Sequence, residues 1–472
     1  MFYNSFMIKT ATQIASEVLL KVGAVTTELM PHQRRVVERL KEQPGLLVAH
    51  GLGTGKTLSS IAAADELGGS ARALVPASLV ANYEKEIAKH TDKRPEIDVS
   101  SAQGAALRGE LTPADLLILD EAHRARETST QLNQLLRNYP AEKRMFLTAT
   151  PVYNRPSDIA PLINLVAQDS VLPTGAEFNK RFVRRPTHNL LYALLGGPKK
   201  STLKNTQELQ KALNQWVDYQ TLEGGDFPER INEDIAVPMS KEQTKLHDYA
   251  WYKLPLLERL KLKAGLPASK KDLPALNAFQ SQARQLGGST KRFTINESAL
   301  SPKLRRAVQD LKDEKGRAVV YSNYLDTLQD YSKALEEEGV SHGMFTGKMS
   351  QKARKQMVED YNAGKLQALL LSSAGGEGLD LKGTRQLQVL EPHWNEEKLE
   401  QVIGRAIRHG SHADLPEDER SVKVRRYTTY PRPGIIGRLF GIQPRGVEKV
   451  LSDMAAEKRD LNAQLLGLLD SQ

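Results

Sequence analysis

The stretch LLVAHGLGTGKTLSSIAAADEL at 46–67 constrains this chain more than any other. A short apolar run reads as a buried strand and the alanine-rich segment after it as a helix, so GLGTGKT at 51–57 must turn the chain between them. Its glycines let the backbone bend tightly enough for successive N–H groups to converge on one anion, and Lys56 adds a positive charge beside them. The pattern is a cradle for nucleoside triphosphate phosphates, lined by Gly51, Gly53, Thr54, Gly55 and Lys56, with the Thr57 hydroxyl placed to hold Mg²⁺. The strict spacing GxxxxGKS/T would put glycine where His50 stands, while the shorter GxGKS/T is satisfied.

A second apolar run, ADLLIL at 114–119, leads into DEAH at 120–123. Ligands of open α/β sheets bind beyond the carboxyl ends of the strands, where Asp120 and Glu121 emerge. Asp120 suits Mg²⁺ bridging the β- and γ-phosphates, and Glu121 suits orienting or deprotonating the attacking water. Alone, two acids after a strand also make an ordinary helix N-terminus. In QVIGRAIRHG at 401–410, Arg405 and Arg408 stand three apart on a helical stretch, so both guanidinium groups can face one γ-phosphate as its charge develops. Their distance from Lys56 in sequence assigns them to a second lobe that closes on the nucleotide. Taken alone they would read as a solvated basic helix face.

With LTATP at 147–151, these strings make the chain resemble a superfamily 2 helicase-type motor, and in detail the Swi/Snf-related branch of double-stranded DNA translocases. The resemblance runs from about residue 28 to the end through ELMPHQRRVVERL, ALVPASLVANYEKE, LTATPVYNRPSDI, SPKLRRAVQDL, RAVVYSNYLDTL, FTGKMSQKARKQMVEDYNAG and AGGEGLDL with HWN, in family order. DFPERINEDIAVPMSKEQTKLHDYA at 226–250 resembles the strand and helix that such translocases carry before the second lobe. The resemblance implies that Gln33 reads adenine and that Gly378, Asp380 and Gln401 serve the nucleotide from the second lobe. It places Ser78, Ser322, Asn323, Lys348, Ser373 and Trp394 along the tracked strand, and makes His123, Thr148 and Thr150 the coupling between nucleotide and nucleic acid. Trp394 also has an interlobe packing role open to it, since tryptophan buries a large area wherever it stands. Three departures point to a divergent member, or toward restriction-enzyme motors and phage helicases: His50 where an acid is usual, LTATP for LTGTP, and RHGS for RxGQ.

The chain has 472 residues, with 66 Lys and Arg against 57 Asp and Glu, a net charge of +9 that favours an anionic partner such as a duplex backbone. It contains no cysteine, which excludes disulfides, thiolate metal sites and a cysteine nucleophile. Apolar runs of about 18 residues are absent, as is a secretory or transit pattern, so the expected location is the cytoplasm, with no membrane association.

The expected fold class is α/β: two RecA-like lobes with parallel sheets flanked by helices. Lobe 1 spans 28–170 and lobe 2 spans 296–430, each with apolar strand-like runs between helices. Residues 1–27 form an N-terminal helical segment. Residues 171–295, rich in Lys, Gln and Leu, form a helical insertion whose basic pairs at 184–185 and 270–271 read first as solvated surface. Residues 431–472 form a C-terminal bracing helix, with Val447, Val450, Leu451, Met454, Leu461 and Leu465 at helical spacing.

These features imply an ATP- and Mg²⁺-dependent enzyme on nucleic acid, most simply a double-stranded DNA translocase of little sequence preference that remodels DNA or DNA–protein complexes. A strand-separating DNA or RNA helicase is the nearest alternative, and a non-catalytic DNA-binding scaffold the next. The compact size suggests a prokaryotic, phage or viral protein, with a protein partner as one source of targeting.

Overall fold

The computed structural model describes residues 25–51, 53–93, 95–152, 154–184, 201–220, 227–263, 273–293, 300–314, 316–347, 349–372, 379–392, 396–407, 410–434 and 447–470. The N-terminal helical segment expected over 1–27 lies almost wholly outside them. The described residues divide into two compact units, the first comprising those up to 184, within 203–222 and from 462 onward, the second the rest.

The first unit is built on a six-stranded parallel sheet. Its strands are β1 (Gly45–His50), β2 (Ala71–Val75), β3 (Ile97–Ser101), β4 (Leu116–Leu119), β5 (Lys143–Thr148) and β6 (Val217–Gln220), in the order β3-β2-β4-β5-β1-β6. Strand side chains alternate between faces, and here both faces are apolar. Leu47, Ala49, Leu117, Leu119 and Phe146 enter one core, while Leu46, Val48, Leu116, Ile118 and Leu147 enter the other. Helices α1 (Pro31–Glu42) and α2 (Lys56–Leu67) cover the second face through Val36, Val37, Leu40 and Ile61. The helix Ile159–Ala167 covers the first, where Leu465 and Leu469 of the C-terminal helix Val447–Asp470 are also buried.

The second unit repeats the plan with β7 (Glu229–Pro238), β8 (Arg317–Ser322), β9 (His342–Phe345), β10 (Ala368–Ser372), β11 (Thr384–Val389) and β12 (Ser421–Tyr430), in the order β9-β10-β8-β11-β12-β7, again all parallel. Val319, Tyr321, Leu369 and Leu371 face one core, and Ala318, Val320, Ala368 and Leu370 the other. The helix Pro302–Asp313 starts where its sequence dictates: Ser301 accepts from the Leu304 N–H (3.2 Å) and proline fills the first position, which has no use for an N–H. Residues 171–295 do carry helices, at Gly175–Phe182, Thr206–Trp216, Lys241–Tyr252, Leu256–Lys263 and Leu273–Gly288. They also supply β6 to the first sheet and β7 to the second.

Gly45 opens β1 against the end of the helix Ile159–Ala167, where a Cβ would stand 2.1 Å from the Val166 carbonyl oxygen. Backbone on both sides leaves no room to yield. Gly45→Ala should therefore lower the unfolding free energy by roughly 1–3 kcal/mol, as overpacked cores do. Chemical denaturation measures it, and a change within about 0.5 kcal/mol would contradict the packing described.

Candidate nucleotide site

β1 ends at His50, and the chain turns through Gly53 (φ 82°) and Gly55 (φ 75°), left-handed conformations that favour glycine. Helix α2 begins at Lys56 immediately afterwards, so its free N–H groups and the positive end of its dipole face the loop. The Lys56 ammonium donates to the carbonyls of His50 (2.8 Å) and Gly51 (2.9 Å), and the Thr54 hydroxyl donates to Gly51 (2.9 Å). Burial lowers the Lys56 pKa, opposed by the carboxylates of Glu121 and Asp120. Helix α1 closes the other side of the loop: the Gln33 amide donates to the Thr54 carbonyl (3.1 Å) and His32 Nε2 lies 2.9 Å from the same oxygen.

β5 lies between β1 and β4, so the phosphate loop and the acid pair leave the sheet on either side of Thr148. Asp120 follows β4, its N–H donating to Leu74 (2.9 Å) and its carboxylate accepting from the Glu121 N–H (2.9 Å). Burial and the adjacent Glu121 push Asp120 up to about 6. Glu121 adopts φ 52°, a left-handed conformation uncommon for a side-chain-bearing residue and typical of strained functional positions. Burial raises its pKa, but the hydrogen bond and charge of His123, with Lys56 and Arg124, outweigh this and hold it below the usual range. His123 Nδ1 is 3.2 Å from Glu121 Oε2.

These groups fit a nucleoside triphosphate with Mg²⁺: open space beside Gly53, a lysine that donates to carbonyls which phosphate oxygens can replace, and an acid and a hydroxyl at Asp120 and Thr57. Thr148 is buried and its hydroxyl accepts from the Thr150 N–H (3.1 Å), while the turn carrying His123 packs against β5. Ser78 lies exposed in the turn after β2.

In the second unit, Ser322 departs from expectation. It ends β8 fully buried, with its hydroxyl 2.9 Å from both carboxylate oxygens of Glu391, so its side chain is not presented to a passing strand. Asn323 beside it is half-buried and donates its N–H to Glu391 (3.3 Å). Asp380 is exposed, and its carbonyl accepts from Asn362 (2.9 Å). Lys348, Ser373, Gly378, Trp394 and Arg408 lie outside the described residues, and Gln401 and Arg405 are described as backbone in the helix Glu396–Ala406. That helix is held by Glu400, which takes a two-bonded fork from Arg230 of β7 (2.6 and 2.8 Å).

Sequence reasoning missed Glu391, Glu400 and Asp218, the carboxylate that receives His50 Nε2 at 2.7 Å. One signal for Asp218 was present: where an acid is usual before the loop this chain has histidine, which leaves a carboxylate to be supplied from elsewhere.

Residues 107–290 match the SNF2-related domain and residues 301–410 the Helicase conserved C-terminal domain. A protein of Acanthamoeba polyphaga mimivirus that bears the name of an ATP-dependent RNA helicase is 30% identical over 421 residues, covering 84% of this chain and 88% of the relative. A termination factor NPH-I homolog of African swine fever virus is 24% identical over 554 residues, covering 90% and 75%. Among solved structures, the Sulfolobus solfataricus SWI2/SNF2 ATPase core in complex with dsDNA is 18% identical, covering 94% of this chain and 96% of that one, with a TM-score of 0.38. Two helix-flanked parallel sheets with a phosphate loop and an acid pair at the strand ends define a helicase-type ATPase. The chain belongs to the SNF2-related family of these enzymes. Among the described residues no helix is long and apolar enough to cross a membrane.

Glu391 carries a pH dependence. Burial pushes it up to about 7 from 4.5, against the opposing charge of Lys303 and the bond from Ser322. Between those values the folded state binds more protons than the unfolded one, so stability falls as pH rises through the window. Unfolding free energy of this unit should drop by roughly 1–3 kcal/mol from about pH 5 to pH 8. Glu391→Gln should flatten that slope in denaturant titrations, and an unchanged slope would contradict the assignment.

Proposed function

We propose that this enzyme is a translocase on double-stranded DNA that couples ATP hydrolysis to movement along the duplex and to remodelling of DNA or DNA–protein complexes. The observation that carries the catalytic part is the meeting of Lys56, Asp120 and Glu121 at the carboxyl ends of β1 and β4. Lys56 exchanges its two carbonyl partners for phosphate oxygens, while the α2 N-terminus and the loop N–H groups take the remaining charge. Thr57 and Asp120 would hold Mg²⁺, which would supply neutralisation of phosphate charge. Glu121, ionised at neutral pH and steadied by His123, orients the attacking water and accepts its proton. Gln33 serves adenine, with Gly378, Asp380 and Gln401 as further nucleotide contacts. Arg405 and Arg408 are the groups suited to stabilise charge on the γ-phosphate.

The duplex-DNA part rests on the Swi/Snf-type order of motifs, the SNF2-related match and the net positive charge. Ser78 and Asn323 are candidates for backbone contacts, with Lys348, Ser373 and Trp394 as further ones, and His123, Thr148 and Thr150 as the coupling. Contacts to phosphate and sugar carry little sequence preference and weaken steeply with salt. A strand-separating helicase is the second reading, favoured by the mimivirus relative's name as an RNA helicase.

Steady-state ATP hydrolysis without nucleic acid and with single-stranded DNA, duplex DNA or duplex RNA tests the proposal. Duplex DNA should stimulate most, and Lys56→Ala and Glu121→Gln should each reduce the stimulated rate by about 100-fold or more. Preferential stimulation by single strands or RNA would instead support the second reading.

A further inference from the structure

Asp218 stands on β6, far in sequence from the phosphate loop and the acid pair, yet three side chains of the nucleotide site's walls converge on its fully buried carboxylate. Arg35 of α1 grips it as a fork, Nε to Oδ2 at 2.9 Å and Nη2 to Oδ1 at 2.8 Å. Arg39, one turn further along α1, donates to Oδ2 at 3.1 Å, and His50 donates to Oδ1 at 2.7 Å. Burial opposes ionisation, but His50 and Arg35 outweigh it and hold the carboxyl well below the usual range. Burial likewise lowers His50, and because a carboxylate oxygen can only accept, the His50 Nε2 is the donor to Asp218.

The two elements fixed in this way are the two that hold the phosphate loop. The first turn of α1 carries His32 and Gln33, both on the Thr54 carbonyl, and the next turns carry Arg35 and Arg39. His50 ends β1, and its own carbonyl receives Lys56. One carboxylate therefore sets the separation and register of the helix bearing Gln33 against the strand end bearing the loop. A fork of two parallel hydrogen bonds fixes orientation as well as distance, which a single ammonium contact would not.

We infer that Asp218 is a positioning residue for nucleotide binding, acting through Arg35, Arg39 and His50 to hold Gln33 and the phosphate loop in register. It touches no reacting atom, so its effect falls on affinity and base selectivity ahead of the chemical step. The inference rests on the nucleotide-site reading above.

The test uses the full chain as wild type, Asp218→Asn, Arg35→Gln and, for reference, Gln33→Ala. A fluorescent ATP analogue is titrated, ATP and GTP hydrolysis are measured separately, and thermal unfolding is followed beside them. The clamp variants should raise KM for ATP and weaken the analogue's Kd by about tenfold, with kcat changed much less. Their preference for ATP over GTP in kcat/KM should fall toward that of Gln33→Ala. Lowered thermal midpoints with unaltered KM, Kd and base preference would overturn the inference, because a simple staple between α1 and β6 has only that effect. Arg35→Gln decides the matter even where Asp218→Asn fails to fold, since it leaves Arg39 and His50 on the carboxylate. Absence of analogue binding by the wild type would overturn the nucleotide-site reading itself, and this inference with it.

Discussion

β1 is paired on both edges and covered on both faces, and the rest of the first unit is arranged around where it can end. A strand so enclosed can leave the sheet only at its carboxyl end, and the following helix must start at once to cover the sheet. The intervening turn passes through left-handed glycines, which bring backbone N–H groups and a helix N-terminus to one point. Because β4 and β5 run parallel to β1, Asp120, Glu121 and Thr148 arrive at the same edge. Parallel pairing is thus the constraint that gathers residues nearly a hundred positions apart.

The gathered charges act directly on one another. Lys56 donates to two carbonyls and is flanked by two acids, of which Asp120 is pushed up by burial and by the adjacent Glu121. Glu121 in its left-handed conformation is part of the same economy of position, since it brings the carboxylate to His123 at the cost of backbone strain. Similar logic recurs in the second unit, where Arg230 grips Glu400 on the helix that carries Arg405.

The strands that sequence made legible are those apolar on both faces. GLLVAH, ARALV, LLIL, KRMFLT, RAVVYS and ALLLS each stand in the structure where their hydrophobic runs lie. β3 and β6 were not legible, because IDVSS and VDYQ are edge strands with one neighbour each and no continuous apolar run. β7 was visible only through resemblance, its side chains being mostly half or fully exposed. Of the site, the cradle and the two acids stood out because spacing within a short string marks them, whereas Gln33 was singled out through the family resemblance alone. Asp218, Glu391 and Glu400 were not, because each acts on a partner 69 to 183 positions away and no local pattern marks it. Ser322 shows the converse: a motif position assigned to nucleic acid, whose inward direction follows from its being the last residue of a buried strand.

Movement along an intact duplex is the central claim, and release of a third strand from triplex DNA reports it directly. The protein with ATP should release the third strand from a duplex bearing it, while the two strands of a forked duplex stay paired. Separation of the forked strands or of an RNA duplex, with the third strand left in place, would contradict the account.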